Sequence, residues 1–455
     1  MGSVFWLFAL FPVMRKEKIS NWGNYPIVAS EVFELEFLDE VQQLVKTSSS
    51  ILARGNGRCY GDASLNTRVL STLKLDKFIA FDREKGILEC QSGVLLSDVL
   101  DFIVPHGFFL PVTPGTKFIT VGGAIAADVH GKNHHKDGCF SDHLISFKLL
   151  NEVGNLITCS PSENAVLFWS TVGGMGLTGI VYSASFSLKP IESVYIRQES
   201  IKAKNLEEIM QLFEESESWT YTVAWIDCLK KGDKQGRSIL MRGEHARLNE
   251  LSAKKKKAPL KLKGKKKITI PSFFPSFMLN NLSVKAFNFL FYNKQFSKQK
   301  TSIIDYDTFF YPLDALHQWN RIYGKAGFTQ YQFVIPKGKG LEALKRILDM
   351  IRKSKQGSFL TVLKLFGKNN PLAYKSFPME GYTLALDFKI NKGLPALIAK
   401  LDEIISEYGG KIYLAKDAFS KKELFTHPHL DNTSPKFQAI QAKRLFKEES
   451  SNEAV

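Results

Sequence analysis

RGNGRCYGD, at residues 54–62, is the first of three glycine-rich segments in the front half of this chain. VGGAIAADVHGK follows at residues 121–132, and TVGGMGLTG at residues 171–179. Glycine adopts positive φ easily and lets backbone N–H groups approach a ligand closely, and convergent N–H groups hold the charge of a pyrophosphate. The three segments therefore predict a site for a pyrophosphate-containing ligand.

Two common nucleotide-binding motifs are missing from these segments. None carries the GxGxxG pattern that opens a βαβ unit, and none carries GxxxxGK[ST]. Their absence counts against a nicotinamide-binding Rossmann domain and against a nucleotide triphosphatase.

Length and composition describe a folded protein with more than one packed region. At 455 residues the chain exceeds the size of a single hydrophobic core, and 44% apolar with 23% charged residues is ordinary for a globular protein. The five cysteines form no CxxC pair, and an odd count in a long chain indicates reduced thiols in a reducing compartment.

The positive charge is concentrated in one short segment. The net charge is +16, and nine lysines between Lys254 and Lys267 supply more than half of it, which leaves 16 − 9 = +7 for the rest. The aromatic-rich run Ile268–Tyr292 follows directly. One interpretation is a solvated mobile loop followed by a core helix. The other is contact with an anionic membrane surface, where each lysine contributes ~1 kcal/mol.

The first residues are strongly apolar. VFWLFALFPV, at residues 4–13, lacks the flanking features of a signal peptide and is about half as long as the ~20 residues that span a bilayer. We expect residues 1–20 to form an apolar tail. A misassigned start upstream of Met14, a disordered tail and a surface anchor all remain open.

The pattern of elements predicts an α+β protein of two domains. Short β-rich runs alternate with helical spacing up to Lys189-Pro190, as at Ile87–Cys90 and Leu96–Val104. Beyond that point the glycine loops stop, and helical patterns such as Leu341–Lys353 indicate a second domain. A strand-and-loop segment at Gly410–Asp417 and a helical tail complete the chain.

Five further motifs make a family resemblance definite. They are HGKNHH at 130–135, FWSTVGGMGLTGI at 168–180, QYQFVIP at 330–336, KLFG at 364–367 and YLAKD at 413–417. From about Asn21 to Phe446 the sequence resembles the vanillyl-alcohol-oxidase, or PCMH-type, FAD-binding superfamily. Within it, the sequence is similar to the decaprenylphosphoryl-β-D-ribose 2′-oxidases.

The resemblance implies a two-domain VAO/PCMH-type FAD-binding fold with an inserted substrate (cap) domain. The FAD domain would comprise residues 21–192, the substrate domain residues 193–405 with a basic mobile loop at 252–268, and residues 406–455 would return to the FAD domain. Covalent relatives carry a flavin-linking histidine where Arg58-Cys59 stand here, so the resemblance implies non-covalent FAD.

The cofactor-lining residues implied by the resemblance come from all three glycine-rich segments and from the C-terminal motif. They are Ala53, Arg54, Gly55, Asn56, Gly57, Arg58, Tyr60, Gly115, Thr116, Thr120, Gly122, Gly123, Ala127, His130, Gly131, Lys132, Asn133, His134, Gly174, Gly179, Ile180 and Tyr413.

Lys416 and His130 match the family's catalytic positions. Oxidising an alcohol removes a hydride and a proton, so a cation beside the flavin would stabilise the charge that develops. The implied substrate-binding residues are Tyr60, Trp225, Phe310, Gln332, Lys364, Phe366, Thr383, Ala385 and Lys416. Three of these depart from the family pattern: Thr383 replaces an asparagine, Ala385 a cysteine and Phe310 a tyrosine.

Structural interpretations of the same residues remain open. Lys416 could be an exposed loop charge, His130 a satisfied core histidine, and Trp225 or Phe366 plain core aromatics. His134 and His135 favour a structural role. The histidine cluster does not predict a metal site, because no carboxylate and cysteine set completes it.

The resemblance implies oxidation of the 2′-hydroxyl of a polyprenylphosphoryl ribose to a keto group. A short-chain-dehydrogenase-type reductase partner would then complete epimerisation to the arabinose. The chain would work in the cytoplasm, peripherally at the inner face of the membrane. Three rivals stay open: an oxidase of a soluble alditol or aldonolactone, a flavin-binding scaffold without turnover, and a nucleic-acid-binding protein using the lysine run, which no RNP motif or zinc finger supports.

Overall fold

The structure is a computed structural model that describes residues 13–264, 268–271, 275, 279–421 and 431–446. Both helices and sheets build the molecule, which confirms the predicted α+β class. All five cysteines are free thiols. In the part of the chain described, no helix is both long and apolar enough to cross a bilayer.

Two sheets form the N-terminal half. The first is mixed, in the order β1–β2–β4–β3, and the second is antiparallel, in the order β5–β6–β10–β8–β9. The strands are β1 (Val13–Ile19), β2 (Val28–Glu34), β3 (Leu52–Arg54), β4 (Arg68–Ser71), β5 (Phe78–Asp82), β6 (Ile87–Gln91), β7 (Phe108–Phe109), β8 (Leu144–Leu150), β9 (Leu156–Cys159), β10 (Ile180–Ser187) and β11 (Lys189–Pro190), of which β7 and β11 pair separately. The helices are α1 (Leu38–Thr47), α2 (Leu96–Ile103), α3 (Val121–Ala126), α4 (His134–Asp137) and α5 (Ala165–Thr171).

One antiparallel sheet of eight strands dominates the remainder, in the order β16–β12–β14–β13–β19–β20–β18–β21. The strands are β12 (Tyr195–Ala203), β13 (Tyr221–Ile226), β14 (Ser238–His245), β15 (Ile268–Thr269), β16 (Gln299–Asp305), β17 (Leu316–His317), β18 (Phe328–Pro336), β19 (Thr361–Phe366), β20 (Gly381–Lys389) and β21 (Lys411–Ile412), of which β15 and β17 pair separately. The helices are α6 (Leu206–Glu214), α7 (Ala253–Lys256), α8 (Asn281–Asn293), α9 (Tyr306–Phe310), α10 (Gly340–Ser354), α11 (Leu394–Glu407) and α12 (Ile440–Phe446).

The two faces of the eight-stranded sheet differ in chemistry. Because side chains alternate along a strand, the register that sets Gln332 opposite Ala385 and Lys364 opposite Thr383 puts these four on one face. The other face is apolar, and it shares a core with the buried stripes of α6, α10 and α11. The helices thus cover one face and leave the polar face for the N-terminal domain.

The C-terminal segment packs on the first sheet. Phe437 joins a buried cluster with residues of α1 and β4, and Ala442 joins a second with Val69. Its backbone is also tied in, because Ile51 donates to the carbonyl of Lys436 at 2.9 Å.

Two predicted boundaries differ from the structure. β1 pairs with β2 along its whole length, so the part of the predicted tail from Val13 to Ile19 is a strand; residues 1–12 lie outside the described part. β21 extends the eight-stranded sheet beside β18, so the substrate domain continues past the boundary at residue 405. Short strands of this kind are set by pairing, which local sequence does not show.

The basic segment 252–268, which the sequence predicts to be a solvated mobile loop, is largely exposed but contacts the body of the protein at a few of its residues. Lys255 donates to the carbonyl of Ile303 at 2.7 Å, and its ammonium lies 4.6 Å from the centre of the Tyr195 ring. Leu260 and Leu262 pack against the main core. Alternating leucines anchor the segment while its lysine heads stay at the surface. Residues 265–267 lie outside the described part.

Candidate active site

The first glycine-rich loop leaves β3 and is half-buried at residues 53–59. Arg54 fixes its base by donating to Oδ1 of Asn21 at 2.9 Å and to the carbonyl of Ser20 at 2.8 Å. Gly57 has φ +58°, and a Cβ there would lie 2.4 Å from the Arg54 guanidinium. A side chain at this turn would therefore be strained and would collide with Arg54, so the turn favours glycine.

The second segment forms α3. Thr120 caps this helix by accepting from the backbone N–H of Gly123 at 3.1 Å, while Gly122 donates to the carbonyl of Ser92 at 2.8 Å. Gly115, on the approach to the helix, has nothing within 4 Å of where a Cβ would stand. Gly115 is exposed, so its backbone is accessible from outside.

The third segment does not offer the bare amides that its glycines predict. Gly173 donates to the carbonyl of Ile125 at 3.1 Å, and Met175 to that of Ala126 at 2.8 Å. A Cβ on Gly174 would lie 2.3 Å from the carbonyl oxygen of Ser170, and Ile180 is fully buried. The segment supports the C-terminal end of α3 from behind, since its glycines allow two backbones to approach closely.

His130 joins the two domains. Its Nε2 lies 3.0 Å from the side-chain nitrogen of Gln332, which is also 3.2 Å from Oγ1 of Thr383. An amide nitrogen only donates, so this arrangement assigns the acceptor role to Nε2 and the proton to Nδ1. Nδ1 is buried and has no protein partner among the described residues. Burial holds the pKa of His130 well below its usual value, so the imidazole is neutral.

Lys416 lies at the centre of a chain of polar side chains. Its ammonium donates to Oε1 of Gln330 and lies 4.1 Å from the centre of the Tyr60 ring. Gln330 donates in turn to Asp387 at 2.6 Å, and the Tyr323 hydroxyl donates to the same carboxyl at 3.2 Å. Gln330 and Asp387 lie on the polar face of the sheet, and the Lys416 ammonium lies against them, so Lys416 is not an exposed loop charge.

Burial acts on the two ends of this chain in opposite directions. It lowers the pKa of Lys416 and raises that of Asp387, because each charged form loses its hydration. The opposite charge of the partner counteracts both shifts. The Gln330 amide therefore separates an ammonium and a carboxyl that stabilise each other's charge.

Lys132 and Lys364 are two more lysines whose side chains lie partly buried near the polar face. Lys132 donates to the carbonyl of Phe309, and the Lys364 ammonium lies 3.4 Å from the carbonyl of Gly131. Burial, and then the charge of Lys364, lowers the pKa of Lys132 to about 7; burial, and then the charge of Lys416, does the same for Lys364. The three lysines are close enough to repel one another, and an anionic group would relieve that repulsion.

These features fit a flavin dinucleotide. Convergent cations suit the pyrophosphate and the charge of a reduced flavin, the Nδ1 proton of His130 lacks a partner, and Gly115 borders open space. The residues that would hold it are those of the first loop, α3 with its cap, and Lys132.

The remaining predicted residues divide into two groups. Phe366 lies between His130 and His134, with ring centres 4.8 and 4.6 Å away, and Tyr413 donates to the carbonyl of Ala127 at 3.0 Å. Phe310 instead packs in the core, with its ring centre 4.9 Å from that of Tyr221.

The rest of the predicted set takes supporting positions. Asn133 bonds the carbonyl of Pro111 at 2.8 Å and Asp137 at 2.6 Å, and Asn56 bonds the carbonyl of Phe118 at 2.8 Å. His134 has no partner on either ring nitrogen among the described residues, and burial lowers its pKa to about 3. In the described ranges no group of three His, Cys, Asp or Glu side chains is arranged to hold a metal.

Two charged residues of this network do not appear among the predicted ones. Asp387 continues the face of Thr383 and Ala385 at the next alternate position of GYTLALDF, so an acid in an apolar strand was the available signal. Arg444 of α12 bonds both Asp62 and Asp417, the neighbour of Lys416. Nothing in the local sequence of Arg444 indicates that role.

The pKa values predict that FAD binding consumes protons. Near pH 8 the side-chain amines of Lys132 and Lys364 are mostly unprotonated in the free protein, and a bound anion raises their pKa. We expect an uptake of roughly one to two protons and an affinity that falls as the pH rises above about 7. The number of protons taken up is measured by titrating FAD into the apoprotein in a calorimeter, in buffers with different ionisation enthalpies. Zero uptake would contradict the lowered pKa values of these two lysines.

The chain is similar to several known flavoproteins and oxidoreductases. Residues 30–160 match a family described as an FAD binding domain. The decaprenylphosphoryl-beta-D-ribose oxidase of Mycolicibacterium smegmatis is 35% identical over 92% of this chain and 93% of its own. The L-gulonolactone oxidase of Bos taurus is 22% identical over 38% of this chain and 40% of its own. The Delta(24)-sterol reductase of Homo sapiens is 27% identical over 31% of this chain and 27% of its own.

The protein is therefore an FAD-dependent oxidoreductase with a PCMH-type FAD-binding domain, as the resemblance implied. The similarity to the mycobacterial oxidase extends over nearly the whole of both chains and includes both domains. This chain belongs to the decaprenylphosphoryl-β-D-ribose oxidase family of flavoenzymes.

Proposed function

We propose that the protein oxidises the 2′-hydroxyl of a polyprenylphosphoryl ribose to a keto group, using non-covalently bound FAD. The observation that carries the proposal is the chain Lys416–Gln330–Asp387 on the polar sheet face, beside His130 and Gln332. The name of the mycobacterial relative supplies the substrate class.

Oxidation of an alcohol needs only a few functional groups. FAD, when bound, accepts the hydride that leaves the carbinol carbon. Lys416 places a cation where negative charge develops, and Asp387 keeps that cation protonated through Gln330. Gln332 and Thr383 offer an amide and a hydroxyl that can orient a sugar. The proton of the alcohol leaves to water or to a side-chain base.

Two neighbouring residues of the candidate pocket differ from the family pattern. Ala385 and Thr383 lie on the polar face between Gln332 and Lys364, where the resemblance implies a cysteine and an asparagine. Ala385 has no nucleophile, so covalent inactivators that need the cysteine should not bond to this protein.

We further propose the surroundings of the reaction. The substrate is a lipid-linked sugar, a reductase of the short-chain-dehydrogenase type consumes the keto product, and the chain works peripherally at the inner face of the membrane. The lysines of the segment 252–268 support contact with anionic lipid, since most of the described ones keep exposed heads. The main rival is an oxidase of a soluble alditol or aldonolactone, to which the partial match with L-gulonolactone oxidase points.

Trapping the product tests the regiochemistry. A short-chain prenylphosphoryl ribose is oxidised by the holoenzyme with an artificial electron acceptor and then reduced with borodeuteride. We expect deuterium at C2 of a mixture of ribose and arabinose, because reduction of a 2-keto group labels that carbon. Deuterium at another carbon, or no incorporation while a soluble alditol is consumed, would contradict the proposal.

A further inference from the structure

Helix α8 is anchored on its inner side by buried polar contacts. Asn288 donates to Asp227 at 2.8 Å, and Arg237 donates to the same carboxylate at 3.0 Å. Val284, one turn earlier, is buried in the core that underlies the sheet. The helix is therefore a fixed part of the substrate domain, and its outer side has a defined direction.

The outer side of α8 is apolar and open. Leu282, Phe289 and Leu290 are 76%, 57% and 67% exposed, and Phe296 just beyond the helix is 96% exposed. The spacing of seven and eight residues puts the first three on one side of a helix. A contiguous exposed apolar strip of this kind marks an interaction surface rather than ordinary scatter.

The chain segment that carries this strip is strongly basic. Residues 251–304 contain 13 lysines and no aspartate or glutamate, which leaves 16 − 13 = +3 for the rest of the chain. Lys285, Lys294 and Lys300 are exposed on or beside α8, and Lys298 pairs with Glu208. Lysine is depleted at protein–protein interfaces but typical of helices that lie at an anionic lipid surface.

The inner side of α8 adjoins the candidate substrate face. Trp225 shares that face, and its ring centre lies 4.8 Å from that of Phe291 on α8. Trp225 is opposite Val362, which is opposite Ala385 in the next strand. One helix thus separates the outer strip from the sheet that carries Gln332 and Lys364.

We propose that the outer strip of α8, formed by Leu282, Phe289, Leu290 and Phe296, inserts into the headgroup region of an anionic bilayer. In consequence, the side of the substrate domain that carries α8 faces the membrane, and a lipid-linked sugar approaches the polar face from the lipid. The strip's lipid contact stands on its own geometry, whereas the substrate's route rests on the proposed function.

Flotation with vesicles tests the contact. The holoenzyme is mixed with vesicles of phosphatidylglycerol in phosphatidylcholine, or of phosphatidylcholine alone, and the triple variant Phe289→Ser/Leu290→Ser/Phe296→Ser is compared with wild type. The matched control is Val166→Ser, a 70% exposed valine on α5. All four side chains are largely exposed, so the fold and the oxidation of a short-chain substrate should be unchanged.

We expect wild type and the control to float with the anionic vesicles. The partition coefficient of the triple variant onto these vesicles should be lower by about tenfold or more. Undiminished flotation of the triple variant would overturn the inference. So would a wild-type dimer in solution that the triple variant converts to monomer, since a second copy would then cover the strip. Wild type that floats normally but leaves prenylphosphoryl ribose unoxidised would refute the proposed function and leave the membrane contact standing.

Discussion

Replacing Lys416 by methionine should leave FAD bound and slow reduction of the flavin by the substrate by about 10²–10³-fold. The ammonium of Lys416 donates to Gln330 and lies 4.1 Å from the centre of the Tyr60 ring, so it is held beside the polar face. Methionine keeps the length and apolar contacts of the stem and removes only the charge. Stopped-flow absorbance under anaerobic conditions measures the rate.

The variant should still fold, because the other end of the chain can adjust. Burial already raises the pKa of Asp387, so without the ammonium its carboxyl takes up a proton instead of remaining an isolated buried charge. The matched control is Lys411→Met, which replaces an exposed lysine on β21, five residues upstream. In this variant the substrate should reduce the flavin at the wild-type rate. Flavin reduction at the wild-type rate in Lys416→Met would contradict the role assigned to Lys416, whereas no reduction in the wild type itself would support the scaffold rival.

Replacing Arg444 by alanine should lower the free energy of unfolding by about 3–5 kcal/mol. Its guanidinium bonds Asp62 at 2.8 Å and Asp417 at 2.7 Å, and these two side chains are only 4% and 1% exposed. Removing one cation leaves two buried carboxylates facing each other. Denaturant unfolding followed by fluorescence gives the change.

The same substitution should loosen the turn that carries Lys416. The backbone N–H of Tyr60 donates to the carbonyl of Ala415 at 3.1 Å, and Gly61 packs closely against the backbone of Asp417. Arg444 therefore links α12 to both the first loop and this turn. The control is Arg346→Ala, which breaks the exposed pair with Glu407 and should lower the free energy of unfolding far less, because water screens an exposed pair. Equal losses in the two variants would show that the buried triad does not hold the turn.

Local patterns in the sequence predicted the elements that depend on local spacing. The stripes that place α2 and α10, and the hairpin of β8 and β9, follow from periodicity and turn residues. The family motifs likewise predicted that His130, Gln332, Lys364 and Lys416 belong together, and the structure brings these four onto or against one sheet face.

What the sequence could not predict depends on partners far apart in the chain. Glycines at residues 173–176 predict free amides, but α3 supplies carbonyls that occupy two of them. The lysines of α7 predict a solvated loop, but Tyr195 and Ile303 give one of them a surface to lie on. Asp387 gains its role only from the register of β18 with β20.

The most direct test of the proposed oxidation is an anaerobic absorbance titration of the purified holoenzyme. A short-chain prenylphosphoryl ribose is added first, and xylitol and L-gulonolactone are added to separate samples. Bleaching of the flavin band by the phospholipid sugar alone is the predicted result, since its ribose would meet Lys416 and His130 on the polar face. Bleaching by the soluble polyol or lactone alone would keep the fold and the cofactor and contradict the proposed substrate.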